Sequence, residues 1–128
     1  MTAPPYRIEY RSDDGILRAH VTGTTDSLQT TVAYWTDMAG EVRRQAPDHL
    51  LVLHEMDGPT LPRQEMLRFV QAMQGGGLER IRIAFVEASL AKLPHMEHAE
   101  IFAREHGFSA RVFGNEMDAR VWLRHGDR

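Results

Sequence analysis

Short apolar runs alternate with segments of helical period along most of the chain, and this order limits the fold more than any other feature. The run at 50–53 is apolar without interruption, and 81–86 carries apolar residues on both faces, as buried strands do. Segments 28–46, 62–73, 93–105 and 116–123 instead repeat apolar residues at helical spacing. Strands that alternate with helices are joined by right-handed crossovers and lie parallel. The sequence therefore predicts an α/β fold.

The first two strands differ from the later ones because they alternate apolar and polar residues. Tyr6, Ile8 and Tyr10 alternate with charged residues, and the same period returns at 17–21. Asp14 and Gly15 stand between the two runs, and an Asp-Gly pair in that position is a strong signal for a β-hairpin. The predicted fold is a mixed sheet of about five strands, an antiparallel hairpin followed by parallel strands, with about four helices. It forms a single domain over 1–128, with its core at about 6–123.

Composition excludes several classes of function. The chain of 128 residues has no cysteine, which excludes disulfides, thiolate metal sites and cysteine nucleophiles. Its net charge is −3, and its bases are interspersed rather than clustered as a nucleic-acid interface requires. No apolar run approaches the ~18 residues that span a bilayer, and the first residues do not resemble a signal peptide. We therefore expect a cytoplasmic protein that binds no nucleic acid, spans no membrane and carries no cofactor.

Two segments near the end of the chain carry a family resemblance. Residues 111–113 are followed by Ala119, Trp122 and Leu123, and segment 102–107 reads Phe-Ala-Arg-Glu-His-Gly. With the order of elements, these packing residues resemble the STAS-like family over about 6–123. Its members are small bacterial proteins related in fold to SpoIIAA-like anti-sigma-factor antagonists and grouped with the CRAL-TRIO lipid-transfer superfamily. The resemblance implies a non-enzymatic regulatory module that binds a partner protein.

One junction departs from the pattern of that family. Anti-sigma-factor antagonists carry an Asp-Ser motif at the start of the helix after the central strand, where phosphorylation of the Ser switches partner binding. Segment 54–62 of this chain reads His-Glu-Met-Asp-Gly-Pro-Thr-Leu-Pro and contains no Ser. Thr60 is its one hydroxyl, and Glu55 and Asp57 would repel a phosphate there. We therefore expect a turn at 57–59, a helix cap at Thr60, and a module that lacks the usual phosphorylatable Ser.

The candidate partner- or ligand-binding site lies at the carboxyl ends of the predicted parallel strands. Ligands of open sheets bind there because the loops of several crossovers converge. The converging loops are 54–62, 87–94 and 114–115, and solvated loop charge is the ordinary interpretation of their polar residues. The candidate residues are His54, Glu55, Asp57, Gly58, Thr60, Glu87 and Ser89.

A small apolar ligand or lipid is the alternative to a partner protein. Methionines at inward helical spacing either line an adaptable groove or fill gaps in a core, and a domain of this size has little core volume to spare. A closed apolar pocket would favour the ligand, and a flat rim with an exposed apolar patch would favour the partner protein. The methionines in question are Met38, Met56, Met66, Met73, Met96 and Met117.

The sequence carries no motif for catalysis. There is no Gly-x-Ser-x-Gly elbow, and the glycines at 75–77 lack the Lys-Ser/Thr of a phosphate-binding loop. His95 and His98 stand three residues apart, but a zinc site needs three or four protein ligands. No catalytic or metal-binding residues are therefore predicted. A homodimer through a strand edge or a helix face stays open.

Overall fold

A computed structural model describes residues 5–24 and 27–126. Within these residues the chain forms five strands and four α-helices, in the order predicted from the sequence. A short 3-10 turn, Leu78–Arg80, precedes the fourth strand. The strands are β1 (Tyr6–Asp13), β2 (Ile16–Gly23), β3 (His49–Met56), β4 (Arg82–Glu87) and β5 (Ser109–Phe113). The helices are α1 (Leu28–Gln45), α2 (Arg63–Met73), α3 (Leu93–Glu105) and α4 (Glu116–His125).

The strands form one mixed sheet in the order β1-β2-β3-β4-β5. β1 and β2 are antiparallel, and each later strand lies parallel to the one before it. The hairpin turn uses positive φ angles at Asp14 (53°) and Gly15 (80°), as a tight turn between twisted strands requires. The predicted mixed α/β sheet is confirmed.

Helices cover the two faces of the sheet unequally. Helices α1, α2 and α3 join successive parallel neighbours in the same direction across the sheet, so right-handed crossovers put them on one face. Their core includes Leu17, Val52 and Phe85, which are inward residues of β2, β3 and β4. On the other face, α4 is the one helix among the described residues, and it packs through the predicted residues Ala119, Trp122 and Leu123.

Two local predictions are wrong. Thr60 does not cap α2, because Pro62 occupies the N-cap position and makes no side-chain capping bond. Thr60 lies two residues too early in the chain to reach the first free amides of that helix. The sequence places Met117 among the methionines at inward helical spacing, but its side chain is 76% exposed on α4. It precedes the inward stripe that begins at Ala119, so helical spacing turns it toward solvent.

Candidate functional site

Two candidate residues, His54 and Glu87, stand directly opposite each other near the carboxyl ends of β3 and β4. The strands extend further than the apolar runs predict, so both residues belong to strands rather than to loops. Side chains alternate faces along a strand. His54 therefore points to the same face as Val52, and Glu87 to the same face as Phe85, toward the three helices.

Both side chains are buried and hydrogen-bonded to each other. The His54 side chain is 5% exposed and that of Glu87 is 1% exposed, and His54 Nδ1 lies 3.0 Å from Glu87 Oε1. The other carboxylate oxygen, Oε2, accepts the backbone N–H of Ser89 at 3.1 Å. Solvated loop charge is therefore the wrong interpretation of His54 and Glu87. A buried carboxylate is retained where such partners offset the loss of hydration.

Tyr34 extends this pair into a chain of three side chains. It lies on the inward face of α1, with 1% of its surface exposed, and its Oη is 3.1 Å from His54 Nε2. The sequence reasoning did not select Tyr34. Helical spacing from the inward residues Thr31 and Met38 was the available signal, although spacing alone does not reveal a partner on β3.

Hydrogen-bonding capacity fixes the direction of these bonds. A carboxylate accepts and does not donate, so the proton between His54 and Glu87 is assigned to Nδ1. In the neutral imidazole Nε2 is then the acceptor, and the Tyr34 hydroxyl donates to it. The order of donors and acceptors is that of a hydroxyl, a base and an orienting carboxylate. We call these three residues the Tyr34-His54-Glu87 chain.

Tyr34 and His54, two members of the Tyr34-His54-Glu87 chain, line an apolar cavity of about 100 Å³ between the sheet and helices α1, α2 and α3. The cavity is partly open to solvent and runs from Ile83 and Phe108 near the beginnings of the strands to Thr60 and Lys92 near their carboxyl ends. Most of its wall is apolar, and the larger side chains in it include Trp35, Met66, Phe69, Met73, Phe85 and Met96.

The charged residues Lys92, Glu100 and Arg111 line the cavity. The Arg111 guanidinium lies over the ring of Phe113, and the other two side chains bond backbone groups. Lys92 Nζ donates to the carbonyl oxygen of Met56 at 2.8 Å, which ties the loop after β4 to the end of β3. Glu100 Oε1 accepts the backbone N–H of Val112 at 2.6 Å and ties α3 to β5. Lys92 is the one lysine of the sequence, and it is a second residue that the sequence reasoning did not select.

The remaining candidates divide between this site and the surface. Thr60 is half-buried and lines the cavity with His54, and Ser89 contributes its backbone N–H to Glu87. Glu55 is not brought to the site, because it points to the opposite face of the sheet and bonds His20 Nε2 at 2.8 Å. Asp57 and Gly58 are exposed in the loop that follows β3.

The structure brings no further metal ligands to His95 and His98 among the described residues. Among residues 5–24 and 27–126, no three His, Asp or Glu side chains are grouped as metal ligands would be. His95 Nε2 lies 3.1 Å from the carbonyl oxygen of Leu61, where it fastens α3 to the loop before α2. In the same described residues, none of the helices has the length and apolar character needed to cross a bilayer.

Two solved bacterial proteins share this architecture. An anti-sigma factor antagonist from Mycobacterium paratuberculosis superposes with a TM-score of 0.63 at 17% identity, over 97% of this chain and 99% of that one. A protein of the DUF3478 family from Shewanella loihica PV-4, described as having a SpoIIAA-like fold, gives a TM-score of 0.52 at 13% identity, over 96% and 98%. The chain has the SpoIIAA-like fold.

This assignment confirms the resemblance to STAS-like proteins at the level of architecture. No protein-family model matches the chain, and no curated protein sequence matches it either. At identities of 17% and 13%, the likeness concerns the fold of the SpoIIAA-like domain and not its activity. The function must therefore be argued from the cavity and the Tyr34-His54-Glu87 chain.

Proposed function

We propose that this SpoIIAA-like domain binds a small apolar ligand in the cavity beneath α1, α2 and α3. The observation that carries the proposal is an apolar cavity of about 100 Å³ with a chain of buried polar residues at one end. Close-packed interiors have few voids larger than a water molecule, and ligand sites combine an apolar wall with a few polar groups. A cavity of this volume, with polar groups at one end, therefore favours a ligand-binding site over a packing defect in the core.

The size of the cavity limits the ligand. An engineered apolar cavity of about 150 Å³ binds benzene, so about 100 Å³ suits an apolar body of four or five carbon atoms. The methionine side chains in the wall adapt to irregular shapes because they are unbranched and flexible. A modestly larger ligand is accommodated if the partly open end admits its polar group.

Filling the cavity provides a direct test. Ala103 lies in α3 and lines the cavity, so we expect Ala103→Leu to occupy the space that a ligand requires. The matched control is Ala72→Leu, the same change on the exposed face of α2. The probe is 1-chloro-3-methylbutane, followed through the methyl resonances of Met66, Met73 and Met96.

The expected result is binding to the wild type and to the control, and an affinity at least about tenfold lower in Ala103→Leu, because the added side chain competes for the same volume. Spectra of the unliganded variants establish that both remain folded. Equal binding to all three proteins would place the probe outside the cavity and contradict the proposal. Absence of binding to the wild type would also contradict it.

The second candidate function is a regulatory module that binds a partner protein through the loop after β3 and the start of α2, without a phosphorylatable Ser. The favouring observations are the exposed residues at 57–59 and the fold shared with an anti-sigma factor antagonist. The two functions are compatible, because Thr60 belongs to this loop and also lines the cavity.

Replacing Asp57 with Asn and Thr60 with Ala tests the partner hypothesis. We expect the double variant to lose a binding partner that wild-type protein retains from native lysate, since both changes remove polar groups from the proposed contact. Asp118→Asn is the control, because Asp118 is exposed on α4, which packs on the other face of the sheet. The loop is not the contact if the same partner binds all three proteins equally.

A further inference from the structure

The uncharged polar groups of the cavity wall lie in its interior, and the charged side chains of Lys92 and Glu100 lie at its edge. Thr31, Tyr34 and His54 are buried, with 5%, 1% and 4% of their surfaces exposed, and Thr31 and Tyr34 are hydroxyl residues. The charged side chains of Lys92 and Glu100 bond backbone groups at the edge of the cavity. A ligand that enters the cavity therefore meets hydroxyl and imidazole groups in its interior.

The buried Glu87 carboxylate disfavours an anionic ligand. It lies directly behind His54, and both of its oxygens accept N–H groups of this chain. A ligand carboxylate beside Tyr34 or His54 would bring a second negative charge into the same region of low dielectric constant, where like charges repel strongly. The transfer of that carboxylate from water into an apolar cavity would add a desolvation cost.

A cationic ligand is also disfavoured. An ammonium group needs several acceptors, whereas the two oxygens of Glu87 already accept N–H groups of His54 and Ser89. An isolated ammonium in the cavity would therefore lose its hydration without gaining equivalent partners.

We infer that the ligand is a small uncharged alcohol whose hydroxyl group bonds the Tyr34 end of the Tyr34-His54-Glu87 chain. The inference rests on the proposed function and names its ligand class. A hydroxyl group both donates and accepts. When Tyr34 donates to His54 Nε2, its oxygen can still accept, so the ligand hydroxyl donates to Tyr34 Oη.

The test uses four probes with one carbon skeleton: 3-methylbutan-1-ol, 3-methylbutanoate, 3-methylbutylamine and 1-chloro-3-methylbutane. Each is titrated into the protein at pH 7, and its affinity is read from the methyl resonances of Met66, Met73 and Met96. A net hydrogen bond corresponds to about a three- to tenfold gain in affinity, so the alcohol should bind that much tighter than the chloride. The two charged probes should bind more weakly than the chloride.

A variant separates the polar contact from the apolar one. Tyr34→Phe removes the hydroxyl and keeps the ring, so we expect the alcohol to bind it no better than the chloride does, while affinity for the chloride stays within about twofold. If this variant fails to fold, the order of the four affinities in the wild type decides the matter alone.

The outcomes distinguish the inference from the function on which it rests. If the chloride binds in the cavity and the alcohol binds no tighter, or a charged probe binds tightest, the alcohol class is wrong and the cavity remains a ligand site. If none of the four probes moves the methionine resonances, both the inference and the proposed function are wrong.

Discussion

Replacing His54 with Leu is expected to lower the free energy of unfolding by about 3–5 kcal/mol, the cost of leaving a buried carboxylate without one of its hydrogen-bond partners. The change takes from Glu87 an N–H that lies 3.0 Å away, although the Glu87 side chain is only 1% exposed. It also takes from the Tyr34 hydroxyl its acceptor on β3. Leu fills much of the space of the imidazole but provides neither bond.

The matched control for this change is His20→Leu. His20 also bonds a glutamate, Glu55 at 2.8 Å, but those side chains are 28% and 53% exposed, so water replaces the lost partner. An exposed pair of this kind contributes at most about 1 kcal/mol. Urea denaturation of the wild type and both variants measures the difference. If His54→Leu lowers the free energy of unfolding no more than His20→Leu does, the Tyr34-His54-Glu87 chain does not stabilise the fold.

Replacing Trp122 with Ala is expected to cost about 3–5 kcal/mol, within the range for removal of a large buried aromatic side chain. Trp122 is 5% exposed and packs against Phe113, with 5.9 Å between the ring centroids. Among the described residues, α4 is the one helix on its face of the sheet. No second helix on that face can therefore move in to fill the space that the side chain leaves. The loss should therefore lie toward the upper end of that range.

Val121→Ala in the same helix is the control for Trp122. Val121 is 55% exposed, and substitutions at such surface positions usually change stability by about 0.5 kcal/mol or less. Thermal and urea denaturation of the two variants compare their effects. A cost below about 1 kcal/mol for Trp122→Ala would contradict its role in joining α4 to the sheet.

Hydrophobic periodicity predicts the frame of this domain well. Inward residues of the strands recur every second position, and those of α4 recur at Ala119, Trp122 and Leu123, so faces and element order follow from the sequence. The hairpin follows from Asp14 and Gly15, because positive φ angles have strong residue preferences. These signals are local, and the structure confirms the fold that they predict.

The candidate site is harder to predict because it depends on register and packing. The apolar run of β3 ends at Leu53, but ladder hydrogen bonds continue it to Met56, which places His54 opposite Glu87. His54 lies two positions after Val52, and Glu87 lies two positions after Phe85, so each points to the same inward face. This spacing indicates burial once β3 and β4 are known to continue to these residues. The cavity has no comparable signal, because its volume depends on how closely three helices approach the sheet.

The most direct test of the central claim is a crystal structure of the protein grown or soaked with 3-methylbutan-1-ol. The expected result is electron density for the alcohol between Trp35 and Met66, with its oxygen within about 3.2 Å of Tyr34 Oη, the range of ordinary hydrogen bonds. Suppose instead that the cavity contains no electron density for the alcohol, whether the alcohol is absent from the crystal or bound only at the surface. That result would contradict the claim that this domain binds a small ligand.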